Sequence, residues 1–331
     1  MRRLLVRPEL GAVAGAVGVW IFFAAVAGDR GFLSVRGTAN YLEVAAQLGI
    51  LAVAVALLMI GGEFDLSVGS TIGFCGVVFA FLAVEREVNI WLAIAASLVC
   101  ALLIGLLNGY LVLRTGLPSF IVTLGTLLAV RGVTVGLTRL LTGRTVVGGV
   151  DDVSGFATAR AIFSSDVRVG EVAFSVAILW WIGVAVLATW VLLRTSFGNW
   201  IFGVGGNLQA ARNVGVPVGL VKIALFLTTA VAAWLVAVIQ VLDARSADVN
   251  RGVGVEFTAI IAAVIGGTLL TGGYGSAVGA VFGALIYGMV RQGIVFTGVE
   301  AGWENAVLGT MLVVAVLVNR WIRQRAMEGR A

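Results

Sequence analysis

The sequence predicts an all-α, polytopic membrane protein that crosses the bilayer about ten times. Hydrophobic residues make up 60% of the 331 residues and charged ones 12%, against roughly 45–50% apolar content in a soluble domain. The mean hydropathy is +1.07. Apolar runs of about 20 residues recur along the chain, each long enough to cross a hydrocarbon core of roughly 30 Å as a helix. Helices are required because lipid offers no partner to an open backbone N–H or C=O. No stretch reads as a soluble domain, so residues 1–331 form a single transmembrane unit.

The spans fall near residues 10–27, 41–60, 66–84, 90–112, 118–138, 172–193, 221–242, 257–271, 276–297 and 304–319. The first follows Arg2, Arg3 and Arg7 and ends in "AVAG" (Ala25–Gly28), a pattern shared with cleavable signal peptides; it reads here as an uncleaved helix. The second is apolar up to Gly61 and Gly62, which end it. The third opens after Asp65 and Ser67, whose oxygens can accept the free N–H groups of a new helix. A carboxylate there also suits the positive end of the helix dipole. The fourth, with "GLLNGYLVL", and the ninth, with Gly275, Gly279 and Gly283 four apart, carry small residues that let neighbouring helices approach closely.

Arginine placement orients these spans. Connections on the N-terminal side hold Arg2, Arg3, Arg7, Arg114, Arg194, Arg212, Lys222, Arg320, Arg323, Arg325 and Arg330, against the acids Glu9, Glu63, Asp65 and Glu328. The opposite side carries fewer arginines and most of the acids, so the positive-inside rule puts both termini in the cytoplasm. Residues 139–171 then form an ordered extracytoplasmic loop suited to a soluble partner, and residues 194–220 form a cytoplasmic loop.

Several functions are excluded. The chain has no His, so serine triads, histidine metal ligands and imidazole proton relays drop out. Cys75 and Cys100 lie in apolar runs and suggest neither a disulfide framework nor a metal site. The net charge of +5 reads as topology and offers no continuous basic face for nucleic acid. No G-x-x-x-x-G-K-[ST] phosphate loop occurs, so any ATP is hydrolysed elsewhere. Catalytic residues, metal ligands and bound cofactors are not expected in this chain.

Two segments, "IGGEFDLSVGSTIG" (Ile60–Gly73) and "IGGTLLTGGYGSAVG" (Ile265–Gly279), both read I-G-G, a short linker, then G-S and a small-residue helix. This is the pattern of a repeated helical hairpin, and transporters are commonly built from such repeats. Gly61, Gly62, Asp65, Ser67, Gly69, Ser70, Gly266 and Gly267 are therefore candidates for a gate. Capping gives Glu63 no role. Ionisable residues at membrane depth, Arg131 and Arg291, are functional candidates by default. Asn40, Gln47, Asn108, Thr123 and Thr126 are polar residues suited to a solute path, with Phe74 or Phe120 available to stack on a sugar ring.

The cytoplasmic stretch "QAARNVG" (Gln209–Gly215) has the form E-A-A-x-x-x-G with Gln for Glu. Asn207 can cap it, Ala210 and Ala211 permit close approach, and Gly215 can take a left-handed terminating conformation. With "GGEFDLSVGS" at 61–70, "GVGGNLQAARNVGV" at 203–216 and "GVGVEFTAIIAAVIGGTLLTGGYGS" at 252–276, the chain resembles the ribose-type family of ABC permeases, relatives of branched-chain amino acid permeases. Departures are Glu63-Phe64 where many members have a single Ile, and Gln209 for Glu. The resemblance implies an inner-membrane permease for a sugar or related small solute. Its expected partners are two ATP-binding subunits, a periplasmic or lipid-anchored solute-binding protein and a second permease copy or homologue.

Overall fold

The structure, a computed structural model, describes residues 8–303, 306–314 and 317. The basic residues Arg2, Arg3, Arg7, Arg320, Arg323, Arg325 and Arg330, and part of the predicted span 304–319, lie outside the described residues.

The helices are α1 (Pro8–Ala27), α2 (Val35–Ile60), α3 (Val68–Ala80), α4 (Ile90–Thr115), α5 (Ser119–Thr142), α6 (Phe156–Phe163), α7 (Ala177–Arg194), α8 (Ser196–Gly206), α9 (Leu208–Asn213), α10 (Val218–Ala244), α11 (Val255–Ile265) and α12 (Ala277–Thr297). A single π-turn, Phe81–Glu85, prolongs α3. Among the described residues, eight helices are long and apolar enough to cross a membrane. The predicted span 257–271 is a correction: its helix is Val255–Ile265, only 11 residues. At 1.5 Å per residue that covers roughly 16 Å, too little for a crossing. The missing part is residues 266–271, which form the Gly266–Gly267 turn and the loop after it, without helix; ahead of the helix, residues 249–254 lie against α3, where a Cβ on Gly73 would come within 2.8 Å of the Arg251 carbonyl oxygen.

Strands appear where an all-α reading expects none, but they are short. β1 (Val146–Gly148) pairs antiparallel with β4 (Ser246–Asp248), and β2 (Asp166–Val169) with β3 (Val172–Ser175). Together with α6 they order the 139–171 connection. Ion pairs Arg144–Glu85 at 3.2 Å and Arg245–Asp151 at 3.3 Å tie it to neighbouring segments. Phe163 stacks on Trp180, with centroids 5.5 Å apart.

The core sits on α2 and α10. The apolar window of α2 is 83% buried and that of α10 is 72%, against 22% for α1, α5 and α7, which therefore form the exposed rim of the bundle. α2 packs on α12, α7, α10 and α11, while α3 packs on α10, α4 and α5. Gly279 and Gly283 of α12 face backbone of α11; a Cβ on either would collide with the carbonyl oxygen of Gly266 or Ala262. Their small size is accounted for by helix packing. We term the end of the bundle that carries α8 and α9 the lower end. The strands mark the upper end.

Candidate functional site

The two I-G-G segments adopt one backbone geometry. Gly61 has φ −69° and ψ −2°, and Gly266 has φ −66° and ψ −2°. Gly62 and Gly267 come next at φ +83° and +90°. Glu63 N donates to Leu58 O at 3.1 Å, and Thr268 N donates to Ala263 O at 3.0 Å, with matching bonds from Gly62 N and Gly267 N at 2.9 Å. Both helices thus end in the same Schellman-type turn, whose left-handed residue favours glycine. Beyond the turns the two segments diverge. Ser276 caps α12 by accepting from Gly279 N, whereas Ser70 lies inside the first turn of α3 and donates to Ser67 O at 2.9 Å.

The turns meet at the lower end. Gly273 N donates to Ile60 O at 2.8 Å, joining the second hairpin to the first. The end of α8 is wedged between them: a Cβ on Gly205 would overlap the Ile60 carbonyl oxygen and sit 2.7 Å from Gly273 N. A Cβ on Gly272 would lie 2.8 Å from Gly62 Cα, and one on Gly273 would lie 2.6 Å from Gly206 Cα. Three backbones therefore touch with no side chain between them. Immediately after Gly206, Asn207 caps α9, its Oδ1 accepting from Ala210 N at 2.9 Å. Ala211 is buried and anchors α9, while Gln209, Ala210 and Arg212 are exposed. Gln209 Nε2 donates to Asn213 Oδ1 at 3.3 Å along the helix surface. Val214, beyond the last turn, is 80% exposed, and Gly215 has φ +83°.

Residues 63–67 rise from this junction into the bundle. Phe64 N donates to Ser119 Oγ at 2.9 Å and Leu66 N to Thr123 Oγ1 at 3.1 Å, so the first turn of α5 satisfies two open backbone donors. Asp65 Oδ1 accepts from Ser67 N at 2.9 Å and from Ser67 Oγ at 2.6 Å, and Asp65 Oδ2 accepts from Thr229 Oγ1 at 2.7 Å. Asn108 Nδ2 donates to Ser67 Oγ at 2.8 Å, and Thr126 Oγ1 donates to Asn108 Oδ1 at 2.7 Å. This buried chain links α3, α4, α5 and α10. Ser67 precedes α3 but its side chain does not cap it, a correction to the capping role that its position suggests: its hydroxyl is committed to Asp65. The turn around Asp65 supplies the order that a cap would have supplied.

Glu63 pairs with Lys222 of α10. Arg131 Nη2 lies 3.8 Å from Glu256 Oε1, and Glu256 packs on Gly69, where any Cβ would collide with its carboxylate. The path candidates divide. Asn108 and Thr126 belong to the buried chain, Thr123 is buried and accepts from Leu66 N, Asn40 and Phe120 are exposed, and Phe74 is half-buried. Gln47 and Arg291 border a cavity of about 160 Å³ between α2, α10, α11 and α12. Sequence reasoning missed Gly205, Gly206, Gly272 and Gly273 as a junction. Their only signal was a doubled glycine beside each recognised motif.

The family model for a branched-chain amino acid transport system / permease component matches residues 37–316. The chain belongs to this permease family. It is a multi-pass protein of the inner membrane. Among curated relatives, the ribose import permease protein RbsC of Escherichia coli (strain K12) is 33% identical over 289 residues, 87% of each chain. The xylose transport system permease protein XylH of the same strain is 30% identical over 365 residues, covering 95% of this chain and 92% of the relative. The probable ABC transporter permease protein YphD, also of that strain, is 32% identical over 300 residues, 91% of this chain and 86% of the relative. No solved structure matches the chain significantly.

Proposed function

We propose that this chain is the transmembrane permease subunit of an ABC importer for a sugar, driven by a separate ATPase. The observation that carries the proposal is the three-backbone junction of Ile60–Gly62, Gly205–Gly206 and Gly272–Gly273. It gives a mechanical route from an exposed six-residue helix to both repeated hairpins. The ribose and xylose relatives support a sugar as solute.

Two ATP-binding subunits engage α9 of two permease copies, with Val214 and Ala210 presenting a small, partly apolar surface to a groove. When ATP closes the motor pair, each α9 moves as a unit with the end of α8. Gly205 transmits the displacement to the two turns, because rigid backbone lies against rigid backbone and no flexible side chain absorbs it. The hairpins then exchange the side to which the bundle opens. A solute-binding protein, periplasmic or lipid-anchored, delivers the solute to the upper end. The chain performs no covalent chemistry and binds no cofactor, and its path binds weakly so that solute is released.

Branched-chain amino acids form the second reading, since they are the solute named in the description of the matching family model. Uptake by cells expressing the chain with its ATPase and binding protein separates the two. Uptake of ribose or xylose, with solute-stimulated ATP hydrolysis by the purified complex, is the expected result. Leucine uptake without pentose uptake overturns the sugar reading, and uptake with no ATPase present overturns the ABC mechanism.

A further inference from the structure

The geometry points to the cavity between α2, α10, α11 and α12 as a transit site for a neutral polyhydroxylated solute. This inference rests on the sugar-import reading and names the residues at which that solute is recognised. The cavity measures about 160 Å³ and its polar lining comprises Glu43, Gln47, Gln240, Thr258, Tyr287 and Arg291. These residues come from four different helices, so the site exists only in the assembled bundle. At 1.5 Å per residue, Gln240, Arg291 and Glu43 lie about 6, 9 and 12 Å from the upper ends of their helices. The cavity therefore occupies the upper part of the bundle, above the buried chain around Asp65.

Hydrogen-bonding capacity within the cavity is uneven. Gln240 Nε2 donates to Gln47 Oε1 at 3.0 Å, which joins α10 to α2 across the lining. Gln240 Oε1 is buried and accepts no hydrogen bond. With no accessible surface of its own, that oxygen is reached by a solute only if the Gln240 side chain turns, which breaks its bond to Gln47. Thr258 Oγ1 spends its proton on Val255 O at 3.0 Å, leaving its oxygen as an acceptor. Gln47 retains two amide hydrogens as donors. Donors and acceptors thus interleave around a small volume, the pattern that a ring of hydroxyl groups meets because each hydroxyl both gives and takes a hydrogen bond. Glu43 and Arg291 carry opposite charges, so the lining is balanced and a neutral solute brings no uncompensated charge into it. Tyr287 offers a ring for the apolar face of a sugar. The Gln240–Gln47 bond is also the only direct side-chain bridge between α2 and α10 that borders the cavity among the described residues. Solute that takes over either amide loosens that bridge, which ties occupancy to the relative motion of two core helices.

The test uses the full chain with its ATPase and binding protein, in cells lacking other pentose uptake, with D-ribose, D-xylose and L-leucine as probes. Gln240→Met and Gln47→Met preserve side-chain length and remove the polar atoms. Each is expected to raise the half-saturating pentose concentration at least about ten-fold while the purified complex still assembles with its ATPase. Pentose uptake with unchanged kinetics in both variants overturns the cavity assignment and leaves the function standing. Wild-type uptake of leucine in place of pentose overturns both the function and the solute class. A further readout needs no known solute: with Cys75 and Cys100 replaced by alanine, Gln240→Cys should react with a small water-soluble thiol reagent. A thiol there that stays unreactive with and without ATP overturns the proposal.

Discussion

Lys222, the only lysine in the chain, forms an ion pair with Glu63, directly after the first glycine turn. Their side chains are 12% and 9% exposed, so neither is free in solvent. The pair fastens the start of the 63–67 segment to the lower part of α10, while Asp65 fastens its upper part to Thr229 of the same helix. Glu63 therefore has a structural partner that helix capping could not supply.

Removing one member of a buried pair strands the other and costs about 3–5 kcal/mol, whereas replacing both by apolar residues of similar volume is often neutral. Glu63→Gln or Lys222→Met alone should lower the unfolding temperature of the reconstituted protein clearly. The double variant Glu63→Leu with Lys222→Met should recover most of it. Thermal unfolding in nanodiscs measures both, and additive losses in the double variant would show that the two side chains do not act on each other.

Gly205 and Gly203 provide a matched comparison on one short helix. A Cβ on Gly205 overlaps the Ile60 carbonyl, whereas on Gly203 its nearest contact is Ala211 Cβ at 3.9 Å, an ordinary packing distance. Gly205→Ala should cut uptake at least about ten-fold by prising the junction apart, with membrane insertion and ATP binding intact. Gly203→Ala should transport normally. Equal activity of the two variants would remove the junction from the coupling route.

Much of this arrangement is visible in the sequence, for identifiable reasons. Span positions come from the length of apolar runs, because the bilayer sets one length for all of them. The matching turns at Gly62 and Gly267 are legible because left-handed backbone leaves a glycine in the chain. The half-length of α11 is not, because residues 268–271, Thr-Leu-Leu-Thr, continue the apolar run past the Gly266–Gly267 turn without forming helix. Partners distant in sequence are equally hidden: nothing in Asp65 announces Thr229, 164 positions away. Likewise Gln47 is a polar residue without a site in the sequence, and Gln240 on another helix makes it one.

Gly215 tests α9 by conformation alone. Its φ is +83° and a Cβ would meet nothing within 4 Å, so a substitution is opposed by the backbone and by no neighbour. Left-handed backbone costs an L-residue roughly 1–2 kcal/mol, with asparagine among the better tolerated and β-branched residues among the worst. Gly215→Val should uncouple ATP hydrolysis from uptake, and Gly215→Asn should retain most of it. Assays of both activities on the same purified complex check this. Normal uptake by Gly215→Val would sink the assignment of α9 as the motor contact.

Asp65 separates the role of charge from that of hydrogen bonding. Its oxygens accept from Ser67 and Thr229, and no cation pairs with it among the described residues. In Asp65→Asn the remaining oxygen keeps both bonds from Ser67, and Thr229 keeps its bond to Phe226 O at 2.9 Å. That variant should unfold close to the wild-type temperature and transport within about three-fold of it. Asp65→Ala leaves the Ser67 N–H and hydroxyl without their acceptor, at a cost of about 1–3 kcal/mol. It also disturbs the Asn108–Thr126 end of the buried chain, so both stability and uptake should fall. An asparagine variant as damaged as the alanine variant would show that the carboxylate is needed for its charge, which the hydrogen-bond geometry does not require.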